Sequence, residues 1–197
     1  MTVWNMFLLN MKNTLRMRNN LYFVGGAKGV GKSSVLSHVK ESIDASIVNT
    51  GDFFKREKLI NASASSREVI RVAKQKLLDH IIRENTLIID THYAGFKDNI
   101  YTPRFERGLN YYELKYLEKN RNLEFILITI DPHTLYERRI MDDNNKRDYN
   151  FSNIQKELKA NEKFFDKYCR ELNKKEYRIT NNDVKQSAKD IIKIIKG

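Results

Sequence analysis

The 197-residue sequence has one cysteine and two prolines, and no aspartate or glutamate precedes Glu41. With Cys169 alone no internal disulfide can form, so a hydrophobic core must hold the fold and a reducing compartment, the cytoplasm, is expected. Cys169 stands in FFDKYCREL, an apolar helix pattern in which packing is expected rather than nucleophilic chemistry. No run reaches the roughly 18–20 uninterrupted apolar residues of a membrane span, so a soluble protein with no membrane partner is expected. The opening MTVWNMFLLNMKNTLRMRNN is acid-free and mildly apolar, but Asn5 and Asn10 interrupt it and no basic region precedes it. That makes a poor secretory signal, and a transit peptide would carry more Arg and Ser. Residues 1–19 are therefore read as an N-terminal extension, with Met17 an alternative start to the compact MRNNLYFVGG.

Acidic residues are outnumbered throughout: the net charge is +11, with 36 Lys and Arg against 25 Asp and Glu. This points to an anionic partner, such as nucleic acid, a phosphate metabolite or an anionic surface, and equally to faces solvated by lysine. At this length one domain with a continuous core is expected. Pro103 and Pro132 fall at loop or helix-start positions, and no Pro-rich linker, repeat or low-complexity tract divides the chain. Short apolar runs recur instead, at LYFVG (21–25), ASIVN (45–49), TLIID (86–90), FILITI (125–130) and EYRIT (176–180). Their mostly apolar or β-branched character suits strands buried in a parallel sheet. Between them the period is helical: Ile70, Ala73, Leu77 and Ile81; Ile154, Leu158, Phe165, Tyr168 and Leu172; Val184, Ala188, Ile191 and Ile195. Alternating strand and helix predict an α/β domain of three layers with a central parallel sheet, and a ligand site beyond the carboxyl ends of the strands.

The most informative segment is Gly26-Ala27-Lys28-Gly29-Val30-Gly31-Lys32-Ser33, which has the G-x-x-x-x-G-K-[ST] spacing. It follows the strand LYFV and precedes the helical SSVLSHVKESI, the context the motif requires. Its glycines let successive N–H groups turn toward phosphate oxygens, and the following helix adds its positive end. Lys32 is expected to reach the β and γ phosphates of ATP, and the Ser33 hydroxyl, next to Ser34, to ligate Mg²⁺. Thr50-Gly51-Asp52 follow a strand and so lie on the same rim, although Thr and Asp also serve as helix caps. Asp90 ends the strand TLIID, a suitable place for a direct or outer-shell Mg²⁺ ligand and equally for a solvated strand-end acid. Arg138 and Arg139, with Lys146 and Arg147 beyond them, suit a clamp on a transferring phosphoryl group. Asp131 and Pro132 read as the N-cap and first residue of their helix.

Together these pieces resemble the adenylate kinase and small-molecule kinase branch of the phosphate-loop proteins, and the archaeal-type adenylate kinases in particular. The resemblance rests on GAKGVGKS, VNTGD (48–52), IIDTH (88–92) and ERRIMDDNNKRD (137–148), and covers residues 20–197. It implies a three-layer P-loop NTPase fold with a five-stranded parallel sheet and helices on both faces. It also implies a nucleoside-monophosphate (NMP) subregion at about 51–83 and a lid at about 139–151. On that pattern Thr50, Gly51, Asp52, His92 and an arginine, Arg56 ahead of Arg67 and Arg71, would hold the acceptor. Lys32, Arg138, Arg139 and Arg147 would act on the phosphates, and Asn181 or Asn182 in ITNNDV would pass beside the adenine. The reaction implied is Mg²⁺-dependent transfer from ATP to a nucleoside monophosphate, AMP first. The segment YAGFKDNIYTPRFERGL (93–109) departs from the family text; its Tyr93, Phe96, Tyr101 and Phe105 could line an acceptor pocket or pack in the core. The alternatives are an ATPase switch linked to RNA or another macromolecule, and a kinase of another hydroxyl metabolite. Nucleic acid is a possible partner but not a required one, and the oligomeric state is open.

Overall fold

The computed structural model describes residues 19–60, 66–97, 100–103, 111–142 and 149–197. Residues 1–18, and so nearly all of the expected extension, lie outside it, as does the middle of the expected lid, 143–148. The strands are β1 (Asn20–Gly25), β2 (Ser46–Asn49), β3 (Thr86–Asp90), β4 (Ala94–Lys97), β5 (Ile100–Pro103), β6 (Asn122–Thr129) and β7 (Glu176–Thr180). The helices are α1 (Lys32–Ser42), α2 (Thr50–Ile60), α3 (Ser66–Arg83), α4 (Tyr111–Asn120), α5 (Pro132–Ile140), α6 (Phe151–Glu171) and α7 (Val184–Lys196). Five strands form one parallel sheet in the order β2-β3-β1-β6-β7, while β4 and β5 pair as a separate antiparallel hairpin.

Alternation along the central strands divides their side chains between two cores. Leu21, Phe23, Leu87, Ile89, Leu123 and Phe125 pack on one face with Leu77 and Ile81 of α3, Leu114 and Leu117 of α4 and Phe165 and Tyr168 of α6. Tyr22, Val24, Ile88, Ile126 and Ile128 pack on the other with Val35 and Val39 of α1, Leu135 of α5 and Ile191 of α7. The runs read as buried parallel strands thus form the sheet, and helices cover both of its faces. On α3 the inward face is Val69, Ala73, Leu77 and Ile81, whereas Ile70, expected to point inward, is 40% exposed. Asp131 caps α5 by accepting from the backbone N–H groups of His133 (2.9 Å) and Thr134 (3.1 Å), with Pro132 at the first turn as expected.

The hairpin was not expected. Tyr93, just before it, is fully buried, and its hydroxyl lies 2.8 Å from the Phe23 carbonyl and 3.0 Å from that of Ile126. A Cβ at Gly25 would come 2.4 Å from the Tyr93 ring, so only glycine lets β1 pass this side chain. Tyr93 is therefore a core residue rather than part of an acceptor pocket. Phe96 and Tyr101 pair across the hairpin with ring centroids 5.0 Å apart, and Phe105 lies outside the described residues.

Candidate functional site

The parallel register places Asn49, Asp90 and Val24 in one row across β2, β3 and β1, at the carboxyl ends of the strands. The loop 26–31 rises from this rim and turns into α1 at Gly31, whose φ of 90° lies in the left-handed region that favours glycine. No side chain caps α1 and no acidic residue occupies its first turn, so its N-terminal amides and partial positive charge are presented at the loop.

Lys32, the first residue of α1, is 7% exposed and folds back over the loop, donating from Nζ to the carbonyls of Gly26 (2.9 Å) and Ala27 (3.0 Å). His92 Nδ1 lies 2.6 Å from the Gly26 carbonyl, which can only accept, so Nδ1 carries a proton. Its 3.3 Å approach to Lys32 Nζ is then a contact between two donors rather than a hydrogen bond. Ser33 and Ser34 follow on the exposed side of α1.

Asp90 is 5% exposed, and burial raises its carboxyl pKa above the usual range. Lys32 and the 2.8 Å hydrogen bond from Asn49 Nδ2 pull the other way, and Asp52 adds to the rise. Asn49 also caps α2, its Oδ1 accepting from the Asp52 backbone N–H at 3.1 Å. The cap is therefore Asn49 rather than Thr50 or Asp52, and one side chain ties the start of α2 to Asp90. The Thr50 hydroxyl lies 3.4 Å from the Asp90 carbonyl oxygen. A Cβ at Gly51 would sit 3.1 Å from Asn49 Oδ1, so a larger residue would crowd the cap. Asp52 is exposed and pairs with Lys55 at 3.5 Å.

Two further elements hold the loop from outside. Asn181, just past β7, is fully buried; its Nδ2 donates to the Val30 carbonyl (2.7 Å) and its Oδ1 accepts from the Ser187 hydroxyl (3.1 Å). Arg138 reaches the same place, donating to the carbonyls of Asn181 (3.2 Å) and Val30 (3.5 Å). Asn181 thus braces the loop instead of lying open to a base, while Asn182 is exposed. On the other side Arg139, 1% exposed, donates from Nη2 to the Lys28 carbonyl and to Glu157 Oε2, both at 2.7 Å. The other oxygen of Glu157 accepts the Lys28 backbone N–H at 2.9 Å. Arg138 and Arg139 were expected to converge on the phosphates as the lid closes; in this structure Arg138 stands at the loop's rim and Arg139 is turned to Lys28 and Glu157.

Arg56 on α2 and Arg71 on α3 are both exposed, while Arg147 and the side chain of Arg67 fall outside the described residues. Asn49, Glu157 and the hairpin were not singled out from sequence. Asn49 had a readable signal, since Asn before a helix start is a favoured cap.

Residues 25–156, more than half of the chain and including the loop, Asp90, Arg138 and Arg139, match the AAA domain family. The chain belongs to that family. No curated protein matches this AAA domain chain in sequence. Among solved structures it is similar to the shikimate kinase of Acinetobacter baumannii in complex with shikimate, at 18% identity and a TM-score of 0.54, over 94% of this chain and 97% of that one. It is also similar to the Deinococcus radiodurans tunicamycin resistance protein, at 14% identity and a TM-score of 0.58, over 90% and 96%. A shikimate kinase of Bacteroides thetaiotaomicron aligns at 12% identity and a TM-score of 0.52, over 90% and 99%. At these identities the likeness is one of fold, and it covers at least 90% of the chain in each case.

Proposed function

We propose that this protein is a kinase that moves the γ-phosphoryl group of ATP to a small acceptor bound beside β2 and β3. The observation that carries the reading is the meeting of Lys32, the uncapped start of α1 and the buried Asp90 on one rim. Membership of the AAA domain family and a fold shared with small-molecule kinases support phosphoryl transfer. Lys32 and the loop amides would hold the donor phosphates, and Arg138 would add positive charge at the rim, with Arg147 its expected partner from the lid. Little covalent help is needed for such a transfer; positioning and charge stabilisation supply most of the rate.

The donor set suits Mg²⁺. Ser33 and Asp90 offer hard oxygens, the ligand type this ion takes together with phosphate oxygens and water. Bound Mg²⁺ would neutralise charge on the β and γ phosphoryl oxygens. Asp90, held by Asn49, would keep its carboxylate fixed toward that position.

For the acceptor we infer a nucleoside monophosphate, with AMP first, from Thr50, Gly51, Asp52, Arg56 and His92 in the elements that follow β2 and β3. A hydroxyl metabolite is the second reading, favoured by the shikimate kinases among the structural relatives. Formation of ADP from Mg·ATP, measured with a panel of monophosphates and hydroxy acids, decides between them. AMP-dependent ADP formation supports the first reading and stimulation by a hydroxy acid alone the second. ATP use that responds to neither but rises with RNA would overturn both in favour of a macromolecule-linked ATPase.

A further inference from the structure

The Lys28 peptide is held from both ends. Its N–H donates to Glu157 Oε1 (2.9 Å), its carbonyl accepts from Arg139 Nη2 (2.7 Å), and Arg139 and Glu157 are themselves paired at 2.7 Å. The arrangement closes on itself, linking the loop to α5 and α6, the helices that flank 143–148. The charges are placed in an instructive way. Glu157 sets a carboxylate against a loop read as holding a triphosphate, an anion beside an anion, and its side chain is only 18% exposed, so water screens it poorly. Arg139, with a side chain 2% exposed, is the cation in contact with that carboxylate. The Lys28 N–H, turned to Glu157, is withdrawn from the phosphate cradle, which leaves the amides after it to line the cradle.

We propose that Glu157 and Arg139 form a neutralised brace that sets the loop conformation, which makes both of them positioning residues for nucleotide binding. Neither meets the phosphates: Glu157 acts through the Lys28 peptide, and Arg139 acts by cancelling the charge of Glu157. This rests on the nucleotide-site reading above. It separates two adjacent arginines into different tasks, with Arg138 at the loop's rim and Arg139 behind it.

The test is the affinity for Mg·ATP, by isothermal titration of the full chain, together with thermal stability. Arg139→Met leaves the Glu157 carboxylate charged beside the triphosphate and weakens ATP binding about tenfold or more. Arg139→Met with Glu157→Gln removes the stranded charge and recovers most of that loss, because the amide oxygen still accepts from Lys28. Glu157→Gln alone lowers the melting temperature, since it strands a buried arginine, yet holds ATP affinity within about threefold, since the stranded charge attracts phosphate. A residue with only a structural role would move stability and affinity together. If Arg139 instead touches the phosphoryl groups, the double variant binds as poorly as Arg139→Met, and the proposal is wrong. Should Arg139→Met fail to fold, Glu157→Ala and Glu157→Gln carry the test: alanine offers Lys28 no acceptor and must bind ATP more weakly than glutamine, and equal affinities refute the brace. Wild-type protein that does not bind ATP overturns the nucleotide site and the brace together, whereas wild-type binding that the variants leave unchanged overturns the brace alone.

Discussion

Gly31→Ala probes the loop where backbone conformation and packing coincide. The φ of 90° costs a residue with a Cβ roughly 1–2 kcal/mol. The new Cβ would also sit 2.4 Å from Asn181 Nδ2. A side-chain tip can often swing away, but this amide is buried and held at both ends, by the Val30 carbonyl and the Ser187 hydroxyl. Forcing it aside resembles overpacking a core, at about 1–3 kcal/mol. Together the two effects predict a loss of about 2–5 kcal/mol, or about 4–20 °C in melting temperature for a chain of this size. Urea unfolding followed by circular dichroism would measure it, with Asn181→Ala and the double variant completing a cycle. Asn181→Ala alone sacrifices two hydrogen bonds and costs about 1–3 kcal/mol. In the double variant the collision is gone and the backbone strain adds to the Asn181→Ala cost alone, so its loss should fall short of the sum by about 1–3 kcal/mol. An unchanged urea midpoint for Gly31→Ala, or strict additivity in the cycle, would refute the claim that Asn181 packs against Gly31.

Three other predictions follow from single side chains. Lys32→Ala should cut ATP turnover by at least about a hundredfold while unfolding stays cooperative in urea; near-normal turnover would remove Lys32 from the site. Burial raises the Asp90 pKa in the folded state, so its stabilising contribution is complete at low pH, below the ordinary carboxylate range, and is lost as pH rises through the raised value. Asp90→Asn should therefore melt higher than wild type at pH 7, with the gap closing as the pH falls below that range, while turnover is lost; a variant less stable than wild type at pH 7 would contradict this. Burial also pushes the Cys169 thiol up to about 12, and the residue is 1% exposed, so Ellman's reagent at pH 8 should label it only as fast as the protein unfolds.

The sheet was legible because its central strands β1 and β3 are buried on both faces and read as continuous apolar runs, as TLIID does for β3. The start of β6 was not, since Asn122 and Glu124 interrupt the pattern although they pair with Asn20 and Tyr22. AGFK and IYTP, at four residues each, are too short to show a period. The phosphate loop could be read because its glycines, lysine and serine are contiguous. What holds the loop could not, because Glu157 and Asn181 reach it across 129 and 151 residues of sequence. Nor could sequence divide the tasks of Arg138 and Arg139. Neighbours on a helix point about 100° apart, and only the packing of α5 decides which of them turns inward.

The central claim is that this rim passes the γ-phosphoryl group of ATP to a small acceptor. Phosphorus NMR of Mg·ATP incubated with the protein and the panel of monophosphates and hydroxy acids follows that group directly. The account predicts that the γ phosphoryl passes to one acceptor with little inorganic phosphate formed: AMP gives two ADP per ATP consumed, another monophosphate gives a new anhydride signal beside one ADP, and a hydroxy acid gives a new ester signal beside one ADP. ATP left intact with every acceptor, or inorganic phosphate as the only product, would contradict it.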